Sequence, residues 1–380
     1  MKHLVFLFCL LFGITAAAQE LQNSARYEHF IELRNESDTL RMKQMLDDWG
    51  AKDAEYYAAW SNYCSIMAEE TEDSSWLGLA VNWIKMGLEE YPDDVLLLLK
   101  QPQVLFDNEQ FRDALPVLQE LEEKGLDDAS SWFFSSSIYT MMNDRERARQ
   151  YLRKMIQEGD EDYRAFAEET LQAFDQDDHM IDSLILVPDH AAIRKFAETE
   201  DFQRLVTRFE ACDTTLTRED VSNLYYGFAY KKDYNLVSSI NESLQKLLEE
   251  DKVQEAIDAL QAKLKEYPVS LYLLVSIFNL TKDPAVIETV AWKAQNLLII
   301  INNSGRGTVD SPLQVICVND EYLYLGQVER MQGVKSQVLV EEGPLAPLDQ
   351  MTFVNTYGLE QVLNFYLTPP YWERLHSLFQ

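Results

Sequence analysis

Positive charge is what this 380-residue chain has least of. Its 33 lysines and arginines stand against 64 aspartates and glutamates, a net charge of −31 with histidine neutral. Binding to phosphate groups needs clustered Lys and Arg, so the balance argues against a nucleic-acid or anionic-membrane partner. The acidic residues are spread among helical segments and do not form a tail, which reads as solubility.

Metal-ligand chemistry is also scarce. Of five histidines, His29, His179, His190 and His376 lie beyond the start of the chain, and none forms a pair on one helical face. Asp177-Asp178-His179 reads as a solvated acidic loop. Cys9 sits in the first apolar run, which leaves Cys64, Cys212 and Cys317. They are far apart, odd in number and without metal-ligand spacing, which predicts free, buried thiols. No serine occupies a nucleophile elbow. Gly305-Arg306-Gly307 lacks the lysine and following helix of a phosphate loop. These absences predict no cofactor and no enzymatic activity.

Long apolar runs are missing after the first. Lys2 and His3 precede Leu4 to Ile14, and Ala16-Ala17-Ala18 follows as a small-residue cleavage site. Residues 1–18 thus read as a signal peptide of an exported, periplasmic or secreted product. Cys9 lacks the small residues that precede a lipid-modified cysteine. No later segment reads as long and apolar enough to span a bilayer; Leu297 to Ile301 is a short buried run.

What is present is a period. Ala80, Ala114 and Ala148 stand 34 residues apart. Four residues beyond each come Ile84, Leu118 and Leu152, and seven beyond come Gly87, Leu121 and Met155. Such recurrence marks a tetratricopeptide-like array of helical hairpins. Hairpins are expected at 61–94, 95–128 and 129–162, after short helices near Tyr27 to Leu33 and Leu40 to Trp49. Trp132 and Tyr139 take the large aromatic positions of the third hairpin. Gly125 and Gly159 are expected to close second helices in the left-handed conformation. Pro102 and Pro116 are expected to kink or break the helices of the middle hairpin.

Residues 175–192 read as a break, with helices resuming at Ala191 to Phe209. Ala256, Leu260 and Pro268 repeat the spacing of Ala80, Ile84 and Pro92 out of register, so a second helical unit is expected. Its helices run near Leu271 to Leu280 and Pro284 to Ile301, with Pro284 in the first turn. Asn303 to Gly307 reads as a flexible turn. Strands follow at Leu313 to Val318, Gln337 to Glu342, Met351 to Thr356 and Val362 to Leu367, with one helix near Asp320 to Met331 and a hairpin loop at Thr356-Tyr357-Gly358. The expected fold is mainly α: a hairpin array at 19–180, a second helical unit at 191–302, and a small antiparallel sheet with one helix at 303–380.

Several short motifs occur in order: Asp213 to Thr217; Leu224-Tyr225-Tyr226-Gly227; Asp233-Tyr234-Asn235; Gly305-Arg306-Gly307-Thr308; Pro312 and Val315-Ile316; Asp320-Glu321-Tyr322; Gln337 to Val340; and Asn364-Phe365-Tyr366. Together, over about 195 to 375, they resemble a domain of unknown function found in exported proteins of the Bacteroidota. The resemblance implies an exported helical domain with a small β end and implies no activity. Arg306 departs from the acidic residue the family tends to have, and Leu236 from its proline. Exported proteins of that group often carry O-glycans after aspartate, which makes Thr39, Ser183 and Thr214 candidates, Ser183 in the expected linker.

Read from the residues alone, these motifs are structural. Thr217 to Asp220 forms a capping box with Asp in place of Glu. Val221, Leu224, Tyr225 and Phe228 share one apolar face, and Gly227 permits a close approach. Asp320 and Glu321 favour the positive end of their helix. Adjacent on that helix, they do not face one another as a catalytic pair.

The functional expectation is a scaffold that binds a protein segment on the first helices of the hairpins, through Asn62, Ser65, Gln101, Ser135 and Ser136. The alternative is a small-ligand or glycan pocket near Tyr322 and Tyr324, between the second helical unit and the sheet. An enzyme ranks third.

Overall fold

The computed structural model describes residues 24–231, 237–341, 343, 345, 347–369 and 372, with 237–242 described by their backbone alone. The expected signal peptide, Asp233 to Leu236 and His376 lie outside them. The described residues form seventeen helices and one four-stranded sheet. They divide into two compact units, one reaching to Gln176 and including Tyr357–Leu359, the other holding the rest.

The first unit is built from helical hairpins. Its helices are α1 (Ala25–Asn35), α2 (Thr39–Asp47), α3 (Ala54–Thr71), α4 (Ser75–Glu90), α5 (Val95–Asp107), α6 (Phe111–Glu123), α7 (Ala129–Met141), α8 (Arg145–Glu158) and α9 (Glu161–Leu184), the last running past the unit's end. Helices pack in consecutive pairs, and the first helices α1, α3, α5 and α7 pack side by side. Much of the acidity is spent at helix starts. Asp38, Asp53, Asp94, Asp128 and Asp144 each accept a backbone N–H from the first turn of the following helix. Such a cap is worth about 1 kcal/mol.

The alanine period marks the helix crossings. Ala80, Ala114 and Ala148 lie on the second helices α4, α6 and α8, and each is buried with the residues four and seven beyond it. At Gly87 a Cβ would stand 2.8 Å from that of Tyr57, so the first crossing needs glycine.

Three local expectations are corrected here. Pro102 and Pro116 do not break α5 or α6. Pro102 is held among buried neighbours, and Pro116 is exposed. Gly125 is left-handed at φ +65°, with the paired Leu126–Leu121 and Gly125–Glu122 backbone bonds of a Schellman cap. Gly159 is instead extended at φ −74°. It is small for lack of room, since a Cβ would meet the Met155 carbonyl oxygen at 2.5 Å. Nor is the helix interrupted at 175, although the first compact unit ends at Gln176. Helix α9 continues to Leu184, and Asp175 pairs with Arg149 at 2.8 Å. Paired acids are ordinary helix-surface residues, and the first true breaker is Pro188.

The second unit continues with α10 (His190–Phe196), α11 (Glu200–Glu210), α12 (Arg218–Phe228), α13 (Val237–Glu249), α14 (Val253–Glu266), α15 (Leu271–Leu280) and α16 (Pro284–Asn302). Ala256 and Leu260 are buried on α14, and Pro284 opens α16 behind the Asp283 cap. Helix α16 has 19 residues and is long and apolar enough to cross a membrane by length and composition. The expectation of only a short apolar run is therefore corrected. Here Val290, Leu297, Ile300 and Ile301 of α16 are buried in the second core.

The β end comprises β1 (Leu313–Val315), α17 (Val318–Gln327), β2 (Gly333–Val340), β3 (Leu348–Val354) and β4 (Glu360–Leu367), in sheet order β1-β4-β3-β2. Two pairings are antiparallel, but β1 runs parallel to β4, so the sheet is mixed. β1 stops at Val315 because Ile316 and Cys317 turn into α17. The hairpin loop at Thr356 to Gly358 is present, with Gly358 left-handed at φ +74°.

Candidate functional site

The motif residues of the second unit converge. Thr217 accepts from the Asp220 backbone, and the Asp220 carboxylate accepts from the Thr217 N–H at 2.9 Å, so α12 starts at a complete capping box. This fixes the expected face of Val221, Leu224, Tyr225 and Phe228, all buried. Tyr226 is buried as well. At Gly227 a Cβ would stand 2.4 Å from the Phe202 ring, which is the close approach of α11 to α12.

Two adjacent tyrosines on α12 reach the β end. Tyr226 donates to the Gln314 carbonyl at 3.0 Å. Tyr225 donates to Asp320 Oδ2 at 2.7 Å and accepts from the Ile316 N–H at 3.3 Å. Asp320 and Glu321 are 1% and 0% exposed. They stand in the first turn of α17, but the Asp320 carboxylate accepts from Tyr225 of α12 and the Glu321 carboxylate faces Asp349 of the sheet, which corrects the simple capping role. Burial pushes Asp320 up to about 7, against the hydrogen bonds from Tyr225 and Cys317 that favour its charge. Burial also lifts the Cys317 thiol well above its usual range, so it stays protonated and inert.

Glu321 does not face Asp320; it faces a carboxylate on another element. Burial raises its pKa well above the ordinary range, and Asp349 of β3 adds to the effect. Asp349 is raised too, by burial. Gln337 of β2 donates to Asp349 Oδ2 at 2.5 Å, and Tyr322 donates to Gln337 Oε1 at 2.6 Å. A polar seam therefore runs from half-exposed Tyr322 through Gln337 and Asp349 to Glu321, with Asp320 and Tyr225 beyond. It holds protons and hydrogen-bond acceptors. Among the described residues no group of three His, Cys, Asp or Glu side chains is arranged to hold a metal ion.

Asp349 escaped the sequence reading, and Gln337 entered it only as the start of a strand and a motif, although one signal for Asp349 was there. Asp349, Met351 and Phe353 share the buried face of β3 by strand alternation, and a lone carboxylate on such a face is anomalous. A pocket is expected near Tyr322 and Tyr324. The two rings leave different sides of α17, Tyr322 toward Gln337 and Tyr324 toward Asn302 at 2.8 Å.

The glycine turn is packed and not flexible, another correction. A Cβ on Gly305 would meet the Pro312 carbonyl oxygen at 2.2 Å, and Gly307 has φ +72° with Leu363 directly against it. The Gly307 carbonyl accepts from both the backbone and the side-chain amide of Asn364, at 2.9 and 3.1 Å. Arg306 between them reaches Asp178 at 3.0 Å and Asp182 at 2.6 Å on α9. The acidic stretch of α9 is thus an anchor for this turn.

The proposed contact residues of the first unit are mostly core. Asn62 is 1% exposed and donates to the Tyr27 hydroxyl at 3.1 Å. Ser135 and Ser136 are 3% and 2% exposed, and Ser136 bonds the Phe133 carbonyl at 2.9 Å. Helix α7 is buried continuously from Ser131 to Tyr139, so its small serines fill space. These three cannot serve as surface contacts, which corrects the expectation. Ser65 and Gln101 are half-buried, and Ser65 donates to Ser61 at 3.2 Å. The same region buries Lys100, which donates to Gln103 at 2.8 Å; burial pushes its amine well below the lysine range.

The exposed apolar residues of the array lie elsewhere. On α4, Trp76, Leu79, Trp83 and Met86 follow at i, i+3, i+7 and i+10, which is one helical face. Leu79 and Met86 are 44% and 45% exposed. Trp83 is half-buried and stacks on Trp60 at 5.1 Å, and Trp76 meets the Tyr63 edge at 6.3 Å. Exposed acids flank the stripe, Glu72 and Asp73 before it and Glu89 and Glu90 after it.

Of the modification candidates, Ser183 lies on helix α9 and bonds the Met180 carbonyl at 2.7 Å, so the expected linker position is corrected. Thr39 is half-buried at the start of α2, and Thr214 is exposed in the turn before α12. The three cysteines among the described residues are free; Cys64 and Cys317 are buried, while Cys212 is only half-buried.

Residues 189–356 match the family model described as Domain of unknown function (DUF4919). The match takes in Tyr225, Asp320, Glu321, Gln337 and Asp349 and stops short of β4. No curated protein matches the chain.

Proposed function

We propose that the protein is an exported, non-enzymatic scaffold whose tetratricopeptide-like array binds a segment of another protein along the outer face of α4. The observation that carries this reading is the stripe of exposed Leu79 and Met86 and half-buried Trp76 and Trp83 on a helix whose opposite face already packs in the core. Isolated exposed apolar residues are ordinary; two in one helical register with two half-buried aromatic rings braced from beneath form a docking surface. Acids at both ends of the stripe select the occupant: an amphipathic segment with apolar residues at helical spacing and Lys or Arg at its ends. The 34-residue alanine recurrence and the consecutive pairing of hairpins support the array. Export rests on the sequence of residues 1–18. The small-ligand alternative has less support, because Tyr322 and Tyr324 diverge.

Fluorescence anisotropy with two synthetic amphipathic peptides tests the reading, one flanked by lysines and one by glutamates. The intact chain should bind the lysine-flanked peptide and not the other. The double variant L79E/M86E replaces exposed side chains and should keep its fold, checked by circular dichroism. Its affinity should fall tenfold or more, a loss of about 1.4 kcal/mol or greater. No binding by the wild type, or equal binding by the variant, sinks the proposal.

A further inference from the structure

The seam in the second unit has a feature that the scaffold reading leaves unused. Both carboxylate oxygens of Glu321 and Oδ1 of Asp349 are buried without a hydrogen-bond donor among the described residues. Buried acceptors are ordinarily paired, so three orphans at one point need a cause. We propose that Glu321 and Asp349 share one proton in the folded protein, and that its release loosens the seam between α17 and the β2–β3 hairpin.

The geometry leaves the proton as the missing partner. A carboxylate offers only acceptors, and a carboxylic acid offers one O–H. With one proton between them, one acid donates to the other, and two of the three orphan atoms become the ends of a hydrogen bond. With none, two negative charges sit in a dry site, each costly to bury and each repelling the other.

The surrounding groups do not relieve that charge. Asp349 of β3 and Asp320 of the same helix are the charged groups acting on Glu321. Cys317 at the helix cap and Tyr225 of α12 lie against Asp320. β2 contributes Gln337, whose amide is spent on Asp349 Oδ2, and Tyr322 bonds Gln337 in turn. α15 and β1 also pack on α17; their polar side chains include Tyr272, whose hydroxyl is the one titratable group on α15, and the neutral amide of Gln314.

The sign follows. The folded form keeps a proton that the unfolded chain gives up in the ordinary carboxylate range. The pair's contribution is therefore complete below that range and is lost as pH rises through the folded value. Between the two limits the opening equilibrium should grow about tenfold per pH unit, the slope for one proton.

Hydrogen exchange of the full-length chain from pH 5 to pH 8, corrected for intrinsic exchange, reads this slope. Peptides covering 318–327 and 333–354 should lose protection with rising pH, while peptides covering 54–90 in the first unit should not. Glu321→Gln and Asp349→Asn each install a permanent amide donor and should lower the slope by one proton, leaving the part that Asp320 contributes; if one variant fails to fold, the other decides. A wild-type slope of zero, or an equal slope in a folded variant, overturns the shared proton.

Discussion

Tyr225 and Asp320, 95 residues apart, are joined by one buried hydrogen bond of 2.7 Å. The same hydroxyl receives the Ile316 N–H, so a single oxygen ties α12 to the entrance of α17. Tyr225→Phe removes both bonds without emptying the site. A buried acceptor and a buried donor then go unmet, and stability should fall by about 1.5–3 kcal/mol. The urea midpoint should drop with the slope of the transition unchanged.

Asp320 gives a pH test with a definite sign. Its pKa is raised from 3.8 to about 7 by burial. Stability from the neutral form is fully present below pH 3.8 and is lost as pH climbs toward 7. Asp320→Asn cannot ionise. Relative to it, the wild type should lose stability between pH 4 and pH 7 and hold a constant deficit above, in denaturant titrations at fixed salt. A wild-type curve parallel to the variant's would contradict the assignment.

Glycines should divide by the room around them. A methyl group on Gly227 meets the Phe202 ring, so Gly227→Ala should destabilise by about 1–3 kcal/mol. Gly78 on α4 has no heavy atom within 4 Å of the same added carbon. Gly78→Ala should stabilise by roughly 0.5–1 kcal/mol through helix propensity. Thermal unfolding of the two variants should move in opposite directions.

Arg306 holds the end of α9. Arg306→Gln releases Asp178 and Asp182, and amides of residues 178–184 should exchange faster. The pairs are partly exposed, so the global loss should stay within about 1 kcal/mol and shrink at high salt. Unchanged exchange in that segment would mean that the ion pairs do not anchor it.

The parts of this fold that were readable are those written in local spacing. Ala80, Ala114 and Ala148 announce hairpins because each small residue sits where two helices cross. Thr217 and Asp220 announce α12 because a capping box closes within one turn. What was hidden depends on partners distant in the chain. Asn62 looks like a groove contact until Tyr27, 35 residues away, takes it inside. Asp175 to His179 looks like a loop until Arg149 pairs with Asp175 and Arg306 with Asp178. Glu321 looks like a dipole cap until strand register brings Asp349 to it. Gly125 and Gly159 look alike, and only backbone angles and the Met155 carbonyl separate them.

The placement of β4 has a bearing on synthesis. It follows the other three strands along the chain, yet it lies between β1 and β3. A nascent chain halted before Glu360 would hold one isolated strand and one two-stranded ribbon, each with a bare edge facing the gap that β4 later fills. Such edges recruit foreign strands. The interval before β4 emerges is when this protein is most open to misassembly, and when a chaperone would have most to protect.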